Sequence, residues 1–391
     1  MDFALSPALE RTRADFKAWL TSNLPDRDTW RQLHDHGSLP ERIAFLKDWQ
    51  RRLYDGRWIA VHWPGEYGGR DASLLEHLVV HEELARAEAP PLINGPSISI
   101  FGPTLLVFGR PELKQRYLPR LLSAEDVWCL GFSEPNAGSD LASLRTRATR
   151  DGDDWVLNGQ KVWTTYANQA DLCMFLVRTD PNVPQHKGIS CLIVPLRTPG
   201  VTVRPLREMT GDTDFNEVFL DNVRVPADSV VGEVNKGWQV ILTALGHERG
   251  TLLLVDHVRR QADMARLRGL LRRNGKATDR LSRQQYAQFH IEVEIMRMHC
   301  FKVMSDLEQG RPQSDVSILK LYGSELVQRL DDFALTAQGP YAQLWSDAAR
   351  VVDDGRWQYA WLMARANTIA SGTSEVQRNI IAQRLLGLPR G

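Results

Sequence analysis

Cysteine is scarce in this chain: Cys129, Cys173, Cys191 and Cys300 are the four among 391 residues. They lie far apart and form no C-x-x-C pair. That spacing speaks against a structural zinc site or a disulfide framework, and leaves free buried thiols as the expectation. Long apolar runs are also missing. No stretch reaches the roughly 18 apolar residues of a membrane-spanning helix. The opening MDFALSPALERTRADFKAWL carries acids early and lacks the apolar centre of a secretory leader, so a bacterial-type cytoplasmic protein is expected. An excess of charge of one sign is absent too, with Lys+Arg and Asp+Glu at 48 each. Nucleic-acid binding needs clustered positive charge and is not indicated. The Arg-rich run RLRGLLRRNGK at 266–276 reads as a helix end feeding a solvated loop. Several motifs are lacking: a nucleotide-binding G-x-G-x-x-G, a P-loop and a G-x-S-x-G elbow. HEELA at 81–85 lacks the second histidine of a zinc protease, and the ten histidines are scattered.

What is present has the texture of a multidomain α+β protein. Hydrophobic residues make up 43% and charged residues 25%, ordinary values for a globular chain, and the length suggests two or three domains. Residues 1–122 read as a helical domain: ERIAFLKDWQRRLYDGRW sets Ile43, Leu46, Trp49 and Leu53 on one helical face. Residues 123–231 change period and read as an antiparallel β domain. DDWVLNGQKVWTT holds two runs around Asn158-Gly159, a pair that signals a hairpin turn. Residues 232–391 are helical again and read as a bundle. Phe289, Val293, Met296, Cys300, Val303 and Leu307 make a continuous seam for packing against other helices.

Two stretches could carry chemistry. LGFSEPNAGSDLASLRTRA, 130–148, is turn-rich and offers backbone N–H groups and hydroxyls to an anion or a heterocycle rim. Composition alone favours a polar surface loop at the entrance of the β domain. In NGQKVWTTYANQAD, 158–171, strand alternation puts Trp163 and Thr165 on one face, an aromatic ring beside a hydroxyl. That suits a flat cofactor with a polar edge, but on this evidence alone a Trp covering a sheet edge is the favoured reading.

Taken in order and spacing, GFSEPNAGSD, NGQKVWTT, LDNVRVP, NKGWQV and GTSEVQRNIIAQRLLGLP resemble the acyl-CoA dehydrogenase family over nearly the whole chain. The resemblance implies an N-terminal helical domain, a middle antiparallel β domain and a C-terminal four-helix bundle. It implies FAD, bound non-covalently in tetramers built as pairs of dimers. It also implies oxidation of an acyl-CoA thioester to the trans-2-enoyl-CoA, as in fatty-acid β-oxidation, with electrons passed to an electron-transfer flavoprotein. On matching positions, the loop from Leu130 through Phe132 to Ser139 would line the flavin, with Ser133 near its pyrimidine edge. Ser139 would lie near the pyrophosphate and the CoA arm. Trp163 would pack on the ring, beside Thr164, and Thr165 would hydrogen-bond near N5. Thr373 and Glu375 would contact the phosphate or ribityl part.

The resemblance also poses a problem of chemistry. Many members carry a catalytic glutamate where this chain has Ser371, and a hydroxyl cannot act as that base at neutral pH. Other members, isovaleryl- and long-chain-type enzymes among them, carry the glutamate on a helix just before an arginine. LTALGHERGTLLL at 242–254 matches that pattern, making Glu248 the expected base, with Arg249 beside the substrate. The backbone at Ser371-Gly372 would polarise the thioester carbonyl, which tolerates a change of side chain. Glu375 is the weaker candidate for the base.

Two departures stand out. RNGKATDRLSRQQYAQF lacks the R-x-x-F-G element that grips a neighbouring subunit's flavin, and LTAQGPYAQLW keeps only a Gln and a Gly of Q-x-x-G-G-x-G. The combination resembles an actinobacterial-type branch whose members include steroid side-chain dehydrogenases and mixed α2β2 tetramers. A homotetrameric enzyme is the first expectation. A non-catalytic or half-site subunit of a heterotetramer is the alternative, and an acyl-CoA oxidase ranks below both.

Overall fold

Each of the first three helices opens on a side chain that takes an otherwise unpaired N–H. α1 (Pro7–Asn23) starts at Ser6, α2 (Arg27–His36) at Asp26, and α3 (Leu39–Asp55) at a Ser38–Glu41 capping box. α4 (Leu74–Arg86), α5 (Gly95–Phe108) and α6 (Pro111–Leu122) complete the N-terminal helices. Ile43, Leu46, Trp49 and Leu53 are all buried, as their spacing predicts. The computed structural model describes residues 5–252, 256–309, 311, 316–345 and 348–389.

Seven strands follow: β1 (Trp128–Gly131), β2 (Arg147–Asp151), β3 (Asp154–Thr165), β4 (Leu172–Arg178), β5 (Ile189–Pro195), β6 (Val201–Pro205) and β7 (Phe215–Pro226). They form one sheet in the order β1-β4-β2-β3-β7-β6, with β5 on β4. Pairing is antiparallel except where β1 and β2 meet β4 in parallel. Leu157, Phe175, Val177, Leu192, Val218 and Val223 lie in its core.

The hairpin expected at Asn158-Gly159 is not there. β3 runs straight through that pair, and the turn lies at Asp151–Asp154, where Gly152 has φ +60°. The pair marks a bulge against β7 instead. A Cβ on Gly159 would come within 2.6 Å of Thr146 Oγ1, so glycine there admits a close neighbour rather than reversing the chain.

Helices complete the chain: α7 (Gly237–Leu252), α8 (Asp256–Arg273), α9 (Arg280–Glu308), α10 (Val316–Gln338), α11 (Arg356–Asn367) and α12 (Ser374–Ile380). The chain divides into two compact units. One contains Ser6–Val80 and Glu88–Glu248, hence most of the N-terminal helices and the whole sheet. The other contains His81–Ala87 and the described residues from Arg249 onward. No described helix is long and apolar enough to cross a membrane. Among the described residues no cluster of His, Cys, Asp or Glu could hold a metal ion.

In the first unit, a buried amide pair ties helices to the sheet. Gln50 Nε2 donates to the Leu121 and Leu122 carbonyls at 2.8 and 3.0 Å. Asn94 Nδ2 donates to the Leu121 and Asp126 carbonyls at 2.9 and 2.8 Å, and its Oδ1 accepts the Trp128 N–H at 2.9 Å. The Asn94 N–H donates to Gln50 Oε1 at 3.0 Å. Two fully buried amides thus set the start of α5, the end of α6 and the start of β1.

In the second unit, α10 packs on α8, α9, α11 and α12. Phe289, Val293, Met296, Cys300 and Val303 are buried as the seam predicts, while the Leu307 side chain lies outside the described residues. Asp331 on α10 is also buried, at 2% exposure. Burial raises its carboxyl to about 7; Arg260 opposes the rise and Asp263 adds to it. A carboxyl raised in the folded state favours folding below its unfolded value of 3.8, and that contribution fades as pH climbs towards 7. Asp331→Asn should therefore gain on the parent between pH 5 and pH 8, by roughly 2–3 kcal/mol. Arg260 keeps Asp256 at 3.5 Å and Asp263 at 3.0 Å, so the amide does not strand a buried cation. Urea unfolding at the two pH values checks this; a difference independent of pH would refute it.

Candidate active site

The loop between β1 and β2 is tied at its base and open at its tip. Glu134 accepts the Arg145 and Thr146 N–H groups at 2.7 and 2.8 Å, and Ser133 O accepts the Val162 N–H at 3.0 Å. Lys161 on β3 donates to Glu134 Oε1 at 2.8 Å and to Phe132 O at 3.0 Å. Arg178 on β4 donates to Ala142 O and Leu144 O at 2.5 and 3.3 Å. Between these ties Pro135, Asn136, Gly138, Ser139 and Asp140 are exposed. Neither the Ser133 nor the Ser139 hydroxyl bonds to another described residue.

β3 brings an aromatic ring to the same unit. A second bulge, between Lys161 and Thr164, breaks the strand's alternation, and Trp163 there takes φ +61°. That conformation is costly for a bulky residue and accumulates at functional sites. The indole is 60% exposed and meets Phe215 edge-on at 6.0 Å. Phe215 pairs with Thr165 in the ladder, and opposite residues share a face, so Trp163 and Thr165 gather at one spot despite the bulge. Glu208 accepts the Asp214 and Phe215 N–H groups at 3.0 and 3.1 Å and fixes that strand end. Thr164 between them is fully buried, and its hydroxyl has no partner among the described residues.

Thr165 and Leu130 line one cleft together with Ile93, Pro96, Trp128 and Tyr166. The Asn94 amide therefore sits directly behind the wall of this cleft. Lys161, Glu134 and Tyr166 were not singled out from the sequence. A lone lysine between apolar strand residues, facing a glutamate in a turn-rich loop, was the available signal.

The C-terminal motif belongs to the other unit. Ser371 and Gly372 both have positive φ, 55° and 89°. Gln377, fully buried, donates to their carbonyls at 3.2 and 3.3 Å. A Cβ on residue 372 would fall 2.6 Å from Gln377 Nε2, which explains glycine there. Thr373 caps α12 by accepting the Val376 N–H at 3.2 Å. The Glu375 carboxyl is held below its usual range, by its own backbone N–H and then by Thr373. Ser374 Oγ is buried without a partner among the described residues. Glu248 and Arg249 lie on α7, but their side chains fall outside the described residues.

A sheet with an exposed tryptophan at its bulge, flanked by N- and C-terminal helical regions, defines an acyl-CoA dehydrogenase fold. The N-terminal, middle and C-terminal domain families of acyl-CoA dehydrogenases match residues 8–125, 129–223 and 235–386. The chain belongs to the acyl-CoA dehydrogenase family of oxidoreductases. Acyl-CoA dehydrogenase IpdE1 of Mycobacterium tuberculosis is 38% identical over 383 residues, covering 98% of each chain. Two solved structures are similar along their full lengths. The Tcur3481–Tcur3483 steroid ACAD has TM-score 0.89 at 33% identity, covering 100% of both chains. The ChsE4–ChsE5 complex from Mycobacterium tuberculosis has TM-score 0.87 at 30% identity, also covering 100% of both. The family and the three-part fold expected from the motifs thus stand, and members of this family are flavoproteins that use FAD.

Proposed function

We propose that the chain binds FAD and dehydrogenates an acyl-CoA thioester to its trans-2-enoyl-CoA, with an electron-transfer flavoprotein as acceptor. The observation that carries this reading is the exposed Trp163 ring beside Thr165 and the open 132–146 loop. An indole left 60% exposed on a strained bulge suits the face of a planar heterocycle. The unpartnered hydroxyls of Ser133 and Ser139 suit its polar rim and phosphates. When bound, the flavin supplies acceptance of the β-hydride.

The remaining work falls to this chain's own residues. Glu248 takes the α-proton. Deprotonation beside a thioester needs a polarised carbonyl, and the Gly372 N–H, which donates to no described backbone carbonyl, is free to polarise it. Arg249, the next residue in sequence, would bind the substrate. Glu375, kept ionised, can only accept hydrogen bonds, so its role at the flavin narrows from phosphate to a ribityl or ribose hydroxyl. The proposed domain limits remain 1–122, 123–231 and 232–391.

A mixed tetramer is the second reading, favoured over a homotetramer by one observation. Gln338, the surviving glutamine of the neighbour-gripping element, turns inward: it is 4% exposed and accepts from Gln358 at 3.2 Å. Asn274 and Lys276 in the other altered segment donate to Ala337 O and Thr336 O at 3.1 and 3.2 Å. Both segments are thus spent on each other, and a partner subunit would complete the adenine side. The ChsE4–ChsE5 structure is itself a complex, which supports this.

Anaerobic titration with a panel of linear, branched and steroid-side-chain acyl-CoAs, following oxidised-flavin absorbance, tests the reading. Bleaching by one class supports it and names the substrate. A chain that takes up FAD but is bleached by none refutes the dehydrogenase assignment. Failure to take up FAD until a partner chain is added favours the mixed tetramer.

A further inference from the structure

Lys161 and Glu134 take no part in the chemistry above, yet both are buried charges beside it. The Lys161 side chain is 0% exposed and that of Glu134 9%. Burial pulls the lysine below its usual range, with the glutamate opposing. Burial alone would raise the Glu134 carboxyl, but the Lys161 charge and the hydrogen bonds it accepts hold it below its usual range. A buried ion pair of this kind adds little stability over apolar side chains of similar volume. Its value lies in the geometry it enforces, and here that geometry is specific.

We propose that Lys161 and Glu134 form a latch that pre-sets the 132–146 loop for capture of the flavin, which makes both of them positioning residues. This rests on the flavin reading given above. The latch joins three segments. The ammonium holds Phe132 O, at the loop's entry, at 3.0 Å. The carboxylate holds the Arg145 and Thr146 N–H groups, at its exit, at 2.7 and 2.8 Å. The ion pair itself, at 2.8 Å, fastens both ends to β3 two residues before Trp163. One pair thus fixes both ends of the loop, with Ser133 at its entry, relative to the strand that presents the ring, and shortens the free span that carries Ser139. Without it, a binding cofactor would have to order the loop, and that conformational cost would come out of its affinity.

The test compares flavin-free parent protein with Glu134→Asp, Glu134→Gln and the double variant Lys161→Met/Glu134→Gln. Three readouts apply: FAD dissociation constant by flavin fluorescence quenching, amide exchange over 132–146, and melting temperature. Glu134→Asp keeps the charge and withdraws the oxygens by one methylene. Glu134→Gln sets an amide against a backbone N–H. The double variant leaves no uncompensated charge, so it should melt close to the parent. All three should weaken FAD binding on the order of 10–100-fold, as when a shell that orients ligands is removed. The Arg145 and Thr146 amides should exchange faster, with the β4–β5 amides unchanged. Unaltered FAD affinity in any variant whose melting matches the parent overturns the latch. So does protection lost evenly across the sheet, which marks a purely structural pair. If the parent itself takes up no FAD, the flavin reading fails first and the latch with it.

Discussion

Glu248→Gln should leave FAD bound and slow flavin reduction by the acyl-CoA at least 10²–10⁴-fold, roughly the contribution of a positioned general base. The amide matches the carboxylate in size, so flavin uptake and thioester binding should survive. It cannot accept the α-proton, so the absorbance of the oxidised flavin should persist when substrate is added without oxygen. Glu375→Gln provides the contrast. Its carboxyl is stabilised as the anion by its own backbone N–H and then by Thr373, and such a carboxylate is a poor base. That variant should lose FAD affinity while the bound fraction reduces at the parental rate. Near-normal reduction in Glu248→Gln, or a collapse of reduction in fully loaded Glu375→Gln, would transfer the base to Glu375. The identity of Ser371 makes the distinction necessary, because a hydroxyl there leaves the C-terminal motif without its usual acid.

The parts of this molecule written in periodicity could be read from the sequence. The α3 face and the α9 seam needed only the 3.6-residue repeat, and every described member is buried. Contacts between distant segments could not be read in this way. Asn158-Gly159 has the composition of a hairpin turn, but the approach of Thr146 across β2 decides its role, and no local signal carries that. Lys161 and Glu134 are 27 positions apart, and each taken alone reads as an ordinary surface charge. The motif resemblance located the functional positions without revealing what holds them. It predicted Trp163 beside Thr165 by simple alternation, whereas the structure reaches that arrangement through a bulge and a left-handed backbone.

Replacement of Asn94 by leucine should cost about 4 kcal/mol in the unit that holds the sheet, taking roughly 1–3 kcal/mol for each buried group left unpaired. Leucine nearly matches the volume but offers no hydrogen bond. The Leu121 carbonyl keeps Gln50 Nε2 at 2.8 Å, so it is not orphaned. The Trp128 N–H and the Asp126 carbonyl lose their Asn94 partner, and both lie where β1 begins. Loosening should therefore appear locally, as faster amide exchange from the end of α6 into β1, before the rest of the sheet responds. Because Trp128 and Leu130 line the cleft with Thr165, FAD affinity should fall as well, though no residue that touches the reacting atoms has changed. Gln50→Leu strands the Asn94 N–H and removes the second donor to Leu121 O. The Leu121 carbonyl keeps one amide donor in each single variant and loses both in the double, so the double variant should lose more than the sum of the singles by roughly 0.5–3 kcal/mol. Urea midpoints for the four proteins of the cycle measure this coupling. Strict additivity would mean that the amides act separately, and a loss under about 1 kcal/mol for Asn94→Leu would mean that water replaces the bonds.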